Sequence, residues 1–214
     1  MKIWDLSQTY ANGMPHAQTI PEPCFEQVKS VERDGYSVTQ LTVATHIGTH
    51  IDAPSHLIEG GATVENIPLE TLVGPALVVS IDKEPDGEIT VEDLEGVVAG
   101  RPGYALLIRT GWGAKFGGED YGNHPYLSEA AARWIVDQGF RMIGLDVTTP
   151  DPPGHLRTED FDFQVHRILL GSGVLIVEHL YLEEVVGEEF ELVVGSLKVE
   201  HADGAPARVL ALKD

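Results

Sequence analysis

The sequence has little of three things: cysteine, basic residues and long apolar runs. Among its 214 residues the single cysteine, Cys24, excludes an internal disulfide and any cysteine-rich zinc module. No segment approaches the roughly 20 consecutive apolar residues that a membrane-spanning helix needs. The opening residues carry an acid, Asp5, and lead into no apolar stretch, so they do not form a secretory signal. We therefore expect a soluble protein of the cytoplasm.

Positive charge is scarce, because 14 lysines and arginines face 34 acids and give a formal net charge of −20. Such a field repels phosphate backbones and anionic lipid surfaces, so neither nucleic acid nor membrane is expected as a partner. It attracts divalent cations, although most surface acids serve solubility alone. With 43% hydrophobic residues the chain can bury a core of its own. The expected partner is a small-molecule substrate.

Short apolar runs predict strands that are covered on both faces. They are found at Ala76–Ile81, Tyr104–Arg109, Met142–Leu145, Val174–Val177 and Leu192–Val194. The segment Tyr36–Ala44 alternates instead, with a change of parity at Gln40 that indicates a bulge or a strand end. The polar turn at 81–88 is too short to separate domains, so residues 1–214 are expected to form one domain.

Helix signals lie between these runs. Ser128 can cap a helix that ends at Asp137, and Asp160 can cap another that ends at Leu170. Residues 89–98 predict a shorter helix. Helices interspersed with buried strands indicate a mixed α/β domain.

Three histidines and an aspartate lie close together in the segment His46-Ile-Gly-Thr-His50-Ile-Asp52-Ala-Pro-Ser-His56. Imidazole nitrogen and carboxylate oxygen are the usual ligands of zinc, manganese or iron. A fully extended strand would hold His46 and His50 about 13 Å apart, too far to share an ion. Gly48 and Pro54 favour a compact turn that brings the ligands together. Scattered surface histidines are the alternative, but this combination favours a metal site.

Two later residues could extend this site. Glu178 ends the apolar run 174–178, where an ionised carboxylate is unfavourable unless it is paired or binds a metal. The alternative is a glutamate at the exposed end of a strand. His166 lies in a predicted helix, where a histidine at the helix margin is the more common case. His155 is the substitute if His166 does not reach the site, and His179 should point away from Glu178 across the strand.

The segment from His46 to His56 resembles the signature of the cyclase family of metal-dependent hydrolases, which includes bacterial kynurenine formamidases and isatin hydrolase. Three later blocks resemble that family in order, namely Gly144-Leu-Asp146 before Pro150-Asp151, Val165-His166-Arg167, and Leu175-Ile-Val-Glu178-His-Leu180. The resemblance implies the family's swivelling β/β/α domain, with a mixed sheet or a barrel-like core. It also implies a homo-oligomer, either a dimer or a tetramer.

Position by position, the resemblance implies a site for one or two divalent metal ions, Zn²⁺ or Mn²⁺. The first metal would be bound by His46, His50, Asp52 and Glu178. Asp52 and Glu178 would bridge to a second metal that His166 also holds. His56 would be the general acid/base, because a free pKa of about 6.5 suits both taking and giving protons.

One departure from the family concerns the substrate pocket. The family's formamidases carry a tryptophan shortly after a Met-Pro turn, whereas here Met14-Pro15 is followed by His16 and no tryptophan lies nearby. His16 is a candidate substrate-binding residue in its place, and an exposed loop residue is the alternative. The resemblance therefore implies hydrolysis of an amide C–N bond, formyl or cyclic, in a small aromatic substrate, without fixing N-formylkynurenine as that substrate.

Two other functions stay open. The same site could open a lactone or catalyse a ring-closing dehydration, because activated water and an acid/base serve both. A non-catalytic metal-binding or sensing protein is the other alternative, although such a protein has no need of His56 beside its metal. The chain contains no nucleophile-elbow serine and no phosphate-binding glycine loop that would indicate a different chemistry.

Overall fold

A computed structural model describes all 214 residues, Met1–Asp214. The strands are β1 (Lys2–Asp5), β2 (Cys24–Lys29), β3 (Val38–Thr42), β4 (His50–Asp52), β5 (Val73–Ser80), β6 (Glu88–Ile89), β7 (Ala105–Arg109), β8 (Tyr126–Leu127), β9 (Met142–Leu145), β10 (Leu175–Glu178), β11 (Glu189–Ser196) and β12 (Gly204–Lys213). The α-helices are α1 (Val31–Asp34), α2 (Leu69–Leu72), α3 (Val91–Glu95), α4 (Glu129–Asp137) and α5 (Gln164–Gly171). Short 3₁₀ turns lie at Pro54–His56, Val64–Asn66, Trp112–Lys115, Glu119–Gly122 and Gly154–Leu156. None of the helices combines the length and apolar character needed to cross a membrane.

Seven strands close into a barrel in the order β12-β11-β5-β7-β9-β10-β4, and β4 pairs back onto β12. Strands β5, β7, β9 and β10 are parallel neighbours, and helices α3, α4 and α5 connect them in turn, as parallel pairing requires. The remaining contacts around the ring are antiparallel. Strand β1 pairs with β12 outside the ring. The predicted mixed α/β fold with a barrel-like core is thus confirmed.

The barrel strands are apolar on both faces because each face is covered. Inside the barrel, Ile51, Leu107 and Val177 belong to a buried cluster of 25 side chains, and outside it Ile176 belongs to a second cluster of 22 that includes the inner faces of α3, α4 and α5. Because each face of the strands packs against one of these clusters, the strands have apolar residues at consecutive positions. All five predicted runs coincide with strands, namely β5, β7, β9, β10 and β11.

Helix α4 begins and ends where the sequence predicts. The hydroxyl of Ser128 accepts a hydrogen bond from the backbone N–H of Ala131 at 3.0 Å, and the helix ends at Asp137. Ala131 and Ile135 are buried on the face that the pattern assigns to the core. The local signals, a cap and an apolar face, agree here with the tertiary packing.

Helix α5 corrects the prediction that Asp160 caps it. The helix begins at Gln164, and its first free N–H groups are bound by Asp151, which accepts from Val165 N at 3.0 Å and from His166 N at 3.2 Å. Asp160 is exposed four residues upstream. A carboxylate brought in by a loop has replaced the local cap, and no sequence spacing reports such a contact.

The segment around residues 24–42 forms a hairpin separate from the barrel. Strand β3 spans Val38–Thr42 within the predicted alternating segment, but all five of its residues are exposed, so neither face joins the core. The predicted irregularity at Gln40 is wrong, because the register shifts on the partner strand β2, between Gln27 and Lys29. The alternating pattern thus predicted a strand correctly, although neither face of that strand is buried.

The cap of α5 leads to a stability test that compares two aspartates. Asp151→Ala leaves the N–H groups of Val165 and His166 without their buried acceptor, so we expect a loss of at least about 2 kcal/mol of unfolding free energy. Asp160→Ala should change it by less than about 0.5 kcal/mol, because that side chain is exposed. Urea unfolding of both variants in the presence of a chelator makes the comparison free of metal binding. A larger loss for Asp160→Ala than for Asp151→Ala would indicate that Asp160 caps α5 and would refute capping by Asp151.

Candidate metal centre

The strand pair β4–β10 places three polar side chains on one face of the barrel. Alternation along β4 puts His50 and Asp52 on the outer face and Ile51 in the interior cluster. Glu178 is paired opposite His50 and shares that outer face. All three polar side chains are buried, with 1% exposure for His50, 1% for Asp52 and 5% for Glu178.

His46 reaches the same face from the loop before β4. Its ring centroid lies 5.2 Å from that of His50, so the compact turn expected from Gly48 replaces an extended strand. Gly48 has a φ of +52° and lies against the side chains of Met14 and Tyr10. The ring also needs Gly204 of β12, where a Cβ atom would lie 2.8 Å from His46 Cε1. A glycine at that position provides the space for the imidazole.

Helix α5 brings His166 to the cluster from outside the barrel. Its Nε2 lies 3.4 Å from Asp52 Oδ2 and 3.3 Å from Glu178 Oε1. Its Nδ1 donates to Asp151, the carboxylate that also caps the helix. His166 therefore joins the site as predicted, and the substitute His155 does not, because it is paired with Asp86 at 2.9 Å on the exposed side of the loop.

The two carboxylates divide their oxygens between two groups of histidines. Asp52 Oδ1 faces His46 and His50 at 2.7 and 3.3 Å, while its Oδ2 faces His166. Glu178 Oε2 lies 3.3 Å from His50 Nε2, while its Oε1 faces His166. This is the arrangement that two neighbouring cations bridged by two carboxylates would require.

Each of the three histidines has one ring nitrogen bound by an acceptor outside the cluster. His50 Nδ1 donates to the carbonyl of Gly48 at 2.7 Å, and His166 Nδ1 donates to Asp151. His46 Nε2 donates to Asp203 Oδ2 at 2.9 Å. The other nitrogen of each ring faces the carboxylates. Such outer acceptors fix the tautomer and orientation of metal-binding histidines.

A cation would satisfy atoms that the protein leaves without a partner. His50 Nε2, Asp52 Oδ2 and Glu178 Oε1 are buried and have no hydrogen-bond partner. Leaving such atoms unpaired costs about 1–3 kcal/mol each. Two sets of three residues share Asp52, one with His46 and His50 and the other with His166 and Glu178. Within each set the ligand atoms lie within 4.8 Å of one another. The residues present therefore fit a site for one or two divalent metals.

Two further sets lie at the same distances but fit a metal less well. One combines His50 and Glu178 with His179, whose Nδ1 is already hydrogen-bonded to Tyr121 at 2.8 Å. The other combines His46 and His56 with Asp203, whose side chain is 42% exposed and already accepts hydrogen bonds from both rings. The sets that share Asp52 therefore fit a metal better than the other two.

The charges of the cluster perturb its protonation. Burial alone would lower the pKa of His46, but hydrogen bonds to Asp52 and Asp203 outweigh it and raise the pKa to about 9. Burial and the charge of Asp52 raise the pKa of Glu178. Burial is also the main cause that lowers the pKa of His56, so this ring is neutral at pH 7. A proton on His46 Nδ1 therefore lies between His46 and Asp52, where a cation would bind.

His56 lies beside the metal-ligand set. The 3₁₀ turn at Pro54–His56 stacks its ring on that of His46, with centroids 3.9 Å apart, and holds it 5.9 Å from the ring of His166. Its Nδ1 lies 3.3 Å from Asp203 Oδ2. No oxygen of Asp52 or Glu178 is among its contacts.

Among the remaining histidines, His179 departs from the sequence-based expectation. His179 does not point away from Glu178, because β10 ends at Glu178 and a φ of +56° at His179 turns its ring to within 5.8 Å of the His50 ring. His16 is exposed and bonded to the carbonyl of Met14, and no contact joins it to the histidine cluster. His124, in the loop before β8, is buried.

Sequence reasoning missed Asp151 and Asp203. Asp151 belongs to a block that resembles the family, but its contact with His166 was not anticipated. Asp203 lies in the turn before β12, 147 positions after His56. Only the closure of the barrel brings that turn to β4, so no local pattern signalled it.

Buried imidazoles and carboxylates with unpaired atoms are the donor set of a metal-dependent enzyme. The sequence profile of the family described as "Putative cyclase" matches residues 4–152, more than half of the chain. The chain therefore belongs to this cyclase family.

Individual relatives agree with that assignment over nearly the whole chain. A kynurenine formamidase of Bacillus mycoides (strain KBAB4) is 33% identical over 210 residues, which cover 96% of this chain and 95% of the relative. A predicted metal-dependent hydrolase from Bacillus stearothermophilus is similar in structure, with a TM-score of 0.80, 30% identity and coverage of 98% and 97%. Isatin hydrolase A from Labrenzia aggregata, bound to benzyl benzoate, gives a TM-score of 0.85, 25% identity and coverage of 98% and 93%. The chain is a hydrolase of this family.

The raised pKa of His46 makes metal affinity dependent on pH. Below pH 9 a cation must displace the proton that lies between His46 and Asp52, so binding releases that proton. We expect the apparent affinity for Mn²⁺ to rise about tenfold per pH unit between pH 6 and pH 8. Competition with a fluorescent chelator, calibrated at each pH, measures this slope. His155→Ala should leave the slope unchanged because that histidine is bonded to Asp86, and an affinity independent of pH would refute the protonated bridge.

Proposed function

We propose that the protein is a metal-dependent hydrolase that cleaves an amide C–N bond, formyl or cyclic, in a small aromatic substrate. The observation that carries this proposal is the pairing of two ligand sets through Asp52, with the neutral imidazole of His56 beside them. The names of the relatives, kynurenine formamidase and isatin hydrolase, support the bond type.

Metal binding is assigned to five residues. They are His46, His50, Asp52, His166 and Glu178. Asp52 and Glu178 would contribute one oxygen to each of two positions, which makes two ions per chain the arrangement that the geometry favours. When bound, a divalent ion such as Zn²⁺ or Mn²⁺ can lower the pKa of water from 15.7 to about 7 and polarise a carbonyl oxygen.

His56 is assigned the proton transfers of the reaction. Its pKa is lowered by burial, so at pH 7 the ring carries a free lone pair and can take a proton from the attacking water. Because Nδ1 faces Asp203, the nitrogen free to exchange this proton is Nε2. The C–N bond then breaks and His56 returns the proton to the leaving nitrogen. The carbonyl carbon keeps the oxygen of water as a carboxylic acid, which loses its remaining proton to solvent. One histidine thus serves both half-reactions.

Aromatic side chains border the cluster and support an aromatic substrate. The ring of Phe163 meets the ring of His166 edge-on at 5.9 Å, and Phe116 meets His179 at 5.8 Å. Phe163 has a φ of +48°, a conformation that a bulky residue rarely adopts and that is often found at functional sites. Rings placed in this way suit stacking against a flat substrate.

A cation at this border suits a substrate that carries a carboxylate. The guanidinium of Arg157 lies 5.0 Å from the centroid of Phe163 and donates to the carbonyl of Pro152. Six of the eight arginines in the chain pair with carboxylates, and Arg157 is not among them. N-formylkynurenine, an aromatic formamide with a carboxylate, is therefore the first substrate to test.

We further propose a homo-oligomer of single-domain subunits in the cytoplasm. The first and last strands pair within one sheet, which joins residues 1–214 into one unit. The hairpin β2–β3 presents exposed apolar side chains, with Leu41 60% and Val38 41% exposed, where a second copy could pack. Cys24 is a free exposed thiol, which suits a reducing compartment.

The activity test uses purified protein and N-formylkynurenine. We expect hydrolysis in the presence of Mn²⁺ or Zn²⁺ and its loss after chelation. His56→Ala should lower kcat by about 10²–10⁴ while metal content is retained, because general acid–base catalysis contributes on that scale. Release of formate and loss of substrate absorbance measure turnover.

His155→Ala is the matched control, since it removes a histidine that contacts Asp86 away from the cluster, and it should keep wild-type turnover. Unchanged turnover in metal-loaded His56→Ala would refute the acid/base assignment. A metal-loaded wild type that hydrolyses no formyl or cyclic amide, but opens lactones, would replace the proposed bond type.

The oligomer is tested by light scattering coupled to size-exclusion chromatography. We expect the wild type to elute as a dimer or tetramer, and Leu41→Lys to shift it toward the monomer because it places a charge in the contact. Val97→Lys is the control, because Val97 is 48% exposed and lies on the helical side of the barrel. A wild-type monomer, or an equal shift for both variants, would refute the hairpin contact.

A further inference from the structure

Asp203 is held in a fixed direction although its side chain is partly exposed. It immediately precedes β12, and its backbone carbonyl accepts a hydrogen bond from Ala53 N at 2.9 Å. The hydroxyl of Thr45 donates to its Oδ1, also at 2.9 Å. One carboxylate oxygen is therefore occupied by Thr45, and the other, Oδ2, is turned toward the histidines.

Both His46 and His56 use that second oxygen. Asp203 Oδ2 lies 2.9 Å from His46 Nε2 and 3.3 Å from His56 Nδ1. A single atom can reach both because the two rings are stacked, with centroids 3.9 Å apart and planes inclined by 35°. The stacking and the shared oxygen fix the two imidazoles relative to each other.

The hydrogen positions follow from the chemistry of a carboxylate. An ionised carboxylate only accepts, so each nitrogen that faces it must carry the hydrogen. A neutral imidazole has one such hydrogen, and its other nitrogen keeps the lone pair. When a metal displaces the proton between His46 and Asp52, His46 is left with Nδ1 free on the side of Asp52, and the neutral His56 is left with Nε2 free.

We propose that Asp203 is a positioning residue whose single oxygen Oδ2 sets the tautomer and orientation of both the metal-binding His46 and the acid/base His56. This rests on the proposed function only in the roles of those two histidines. Outer carboxylates that orient metal-binding histidines are worth 10–100-fold in metal affinity or activity. An aspartate that orients a histidine base has a comparable part in Ser-His-Asp enzymes. Here one carboxylate performs both tasks.

Two readouts that need no substrate test this role. Asp203→Ala should weaken Zn²⁺ binding by 10–100-fold, measured by competition with a fluorescent chelator. In zinc-loaded protein labelled with ¹⁵N-histidine, the wild type should show His56 protonated at Nδ1, and Asp203→Ala should show the Nε2–H tautomer. Asp203→Asn, which keeps an acceptor oxygen without the charge, should lie between the two in zinc affinity.

The kinetic readout is a double-mutant cycle at saturating metal. Asp203→Ala should lower kcat at least tenfold with little change in KM, but it should have almost no further effect in a His56→Ala background, because it acts through His56. Multiplicative effects of the two substitutions would overturn the proposal, as would zinc affinity, His56 tautomer and kcat that all match the wild type.

Asp86→Asn is the matched control, because it removes an aspartate–histidine contact of the same kind at His155, outside the cluster. It should leave zinc affinity and kcat unchanged. If Asp203→Ala does not fold, Thr45→Val loosens the same carboxylate without removing it and should lower zinc affinity and kcat severalfold; no change in either would overturn the proposal. Because the zinc and tautomer readouts need no turnover, a wrong substrate class would not be mistaken for a wrong role of Asp203.

Discussion

The antiparallel pairing of β12 with β4 closes the barrel, and the metal centre depends on that pairing. Residues Gly204 to Pro206 lie opposite Asp52 to His50, which sets the face on which the two ligands of β4 emerge. The same register leaves the space over Gly204 that His46 fills and delivers Asp203 to the two imidazoles. A shift of one residue would turn His50 and Asp52 into the apolar interior of the barrel.

The concentration of charge at this face is stable only when the charges compensate one another. Asp52 and Glu178 are buried side by side, and burial with mutual repulsion raises the pKa of Glu178. Burial would also raise the pKa of Asp52, but the nearby imidazoles of His166, His46 and His50 hold it well below its usual value. Protons on the histidines supply part of the compensation, and a divalent cation supplies the same charge at the atoms left unpaired. A proton therefore lies where the proposed cation would bind.

The sequence predicted β3, β5, β7, β9, β10, β11, α4 and the histidines of the 46–56 segment, because each carries a local signal: alternation or an apolar run, a serine cap, or histidines at short spacing. His166 and Glu178 were expected at the site only through the resemblance to the family. The sequence did not predict the start of α5, because Asp151 caps it from a distant loop. It assigned His179 to the wrong face because a single left-handed residue at the strand end breaks the alternation. Asp203 was not predicted either, because its partners are brought to it by strand pairing between the two ends of the chain. The features that the sequence did not predict are those set by contacts between residues distant in the chain.

The distribution of residues between barrel and loops explains why the reaction class is better defined than the substrate. The proposed metal-binding residues come mostly from barrel strands and from α5, whose positions are fixed by two buried clusters. The aromatic and cationic groups around them, Phe116, Arg157 and Phe163, belong to turns outside the barrel. Turns tolerate substitution and insertion without loss of the core. Relatives that share this barrel can therefore keep one hydrolytic centre while their loops select different substrates.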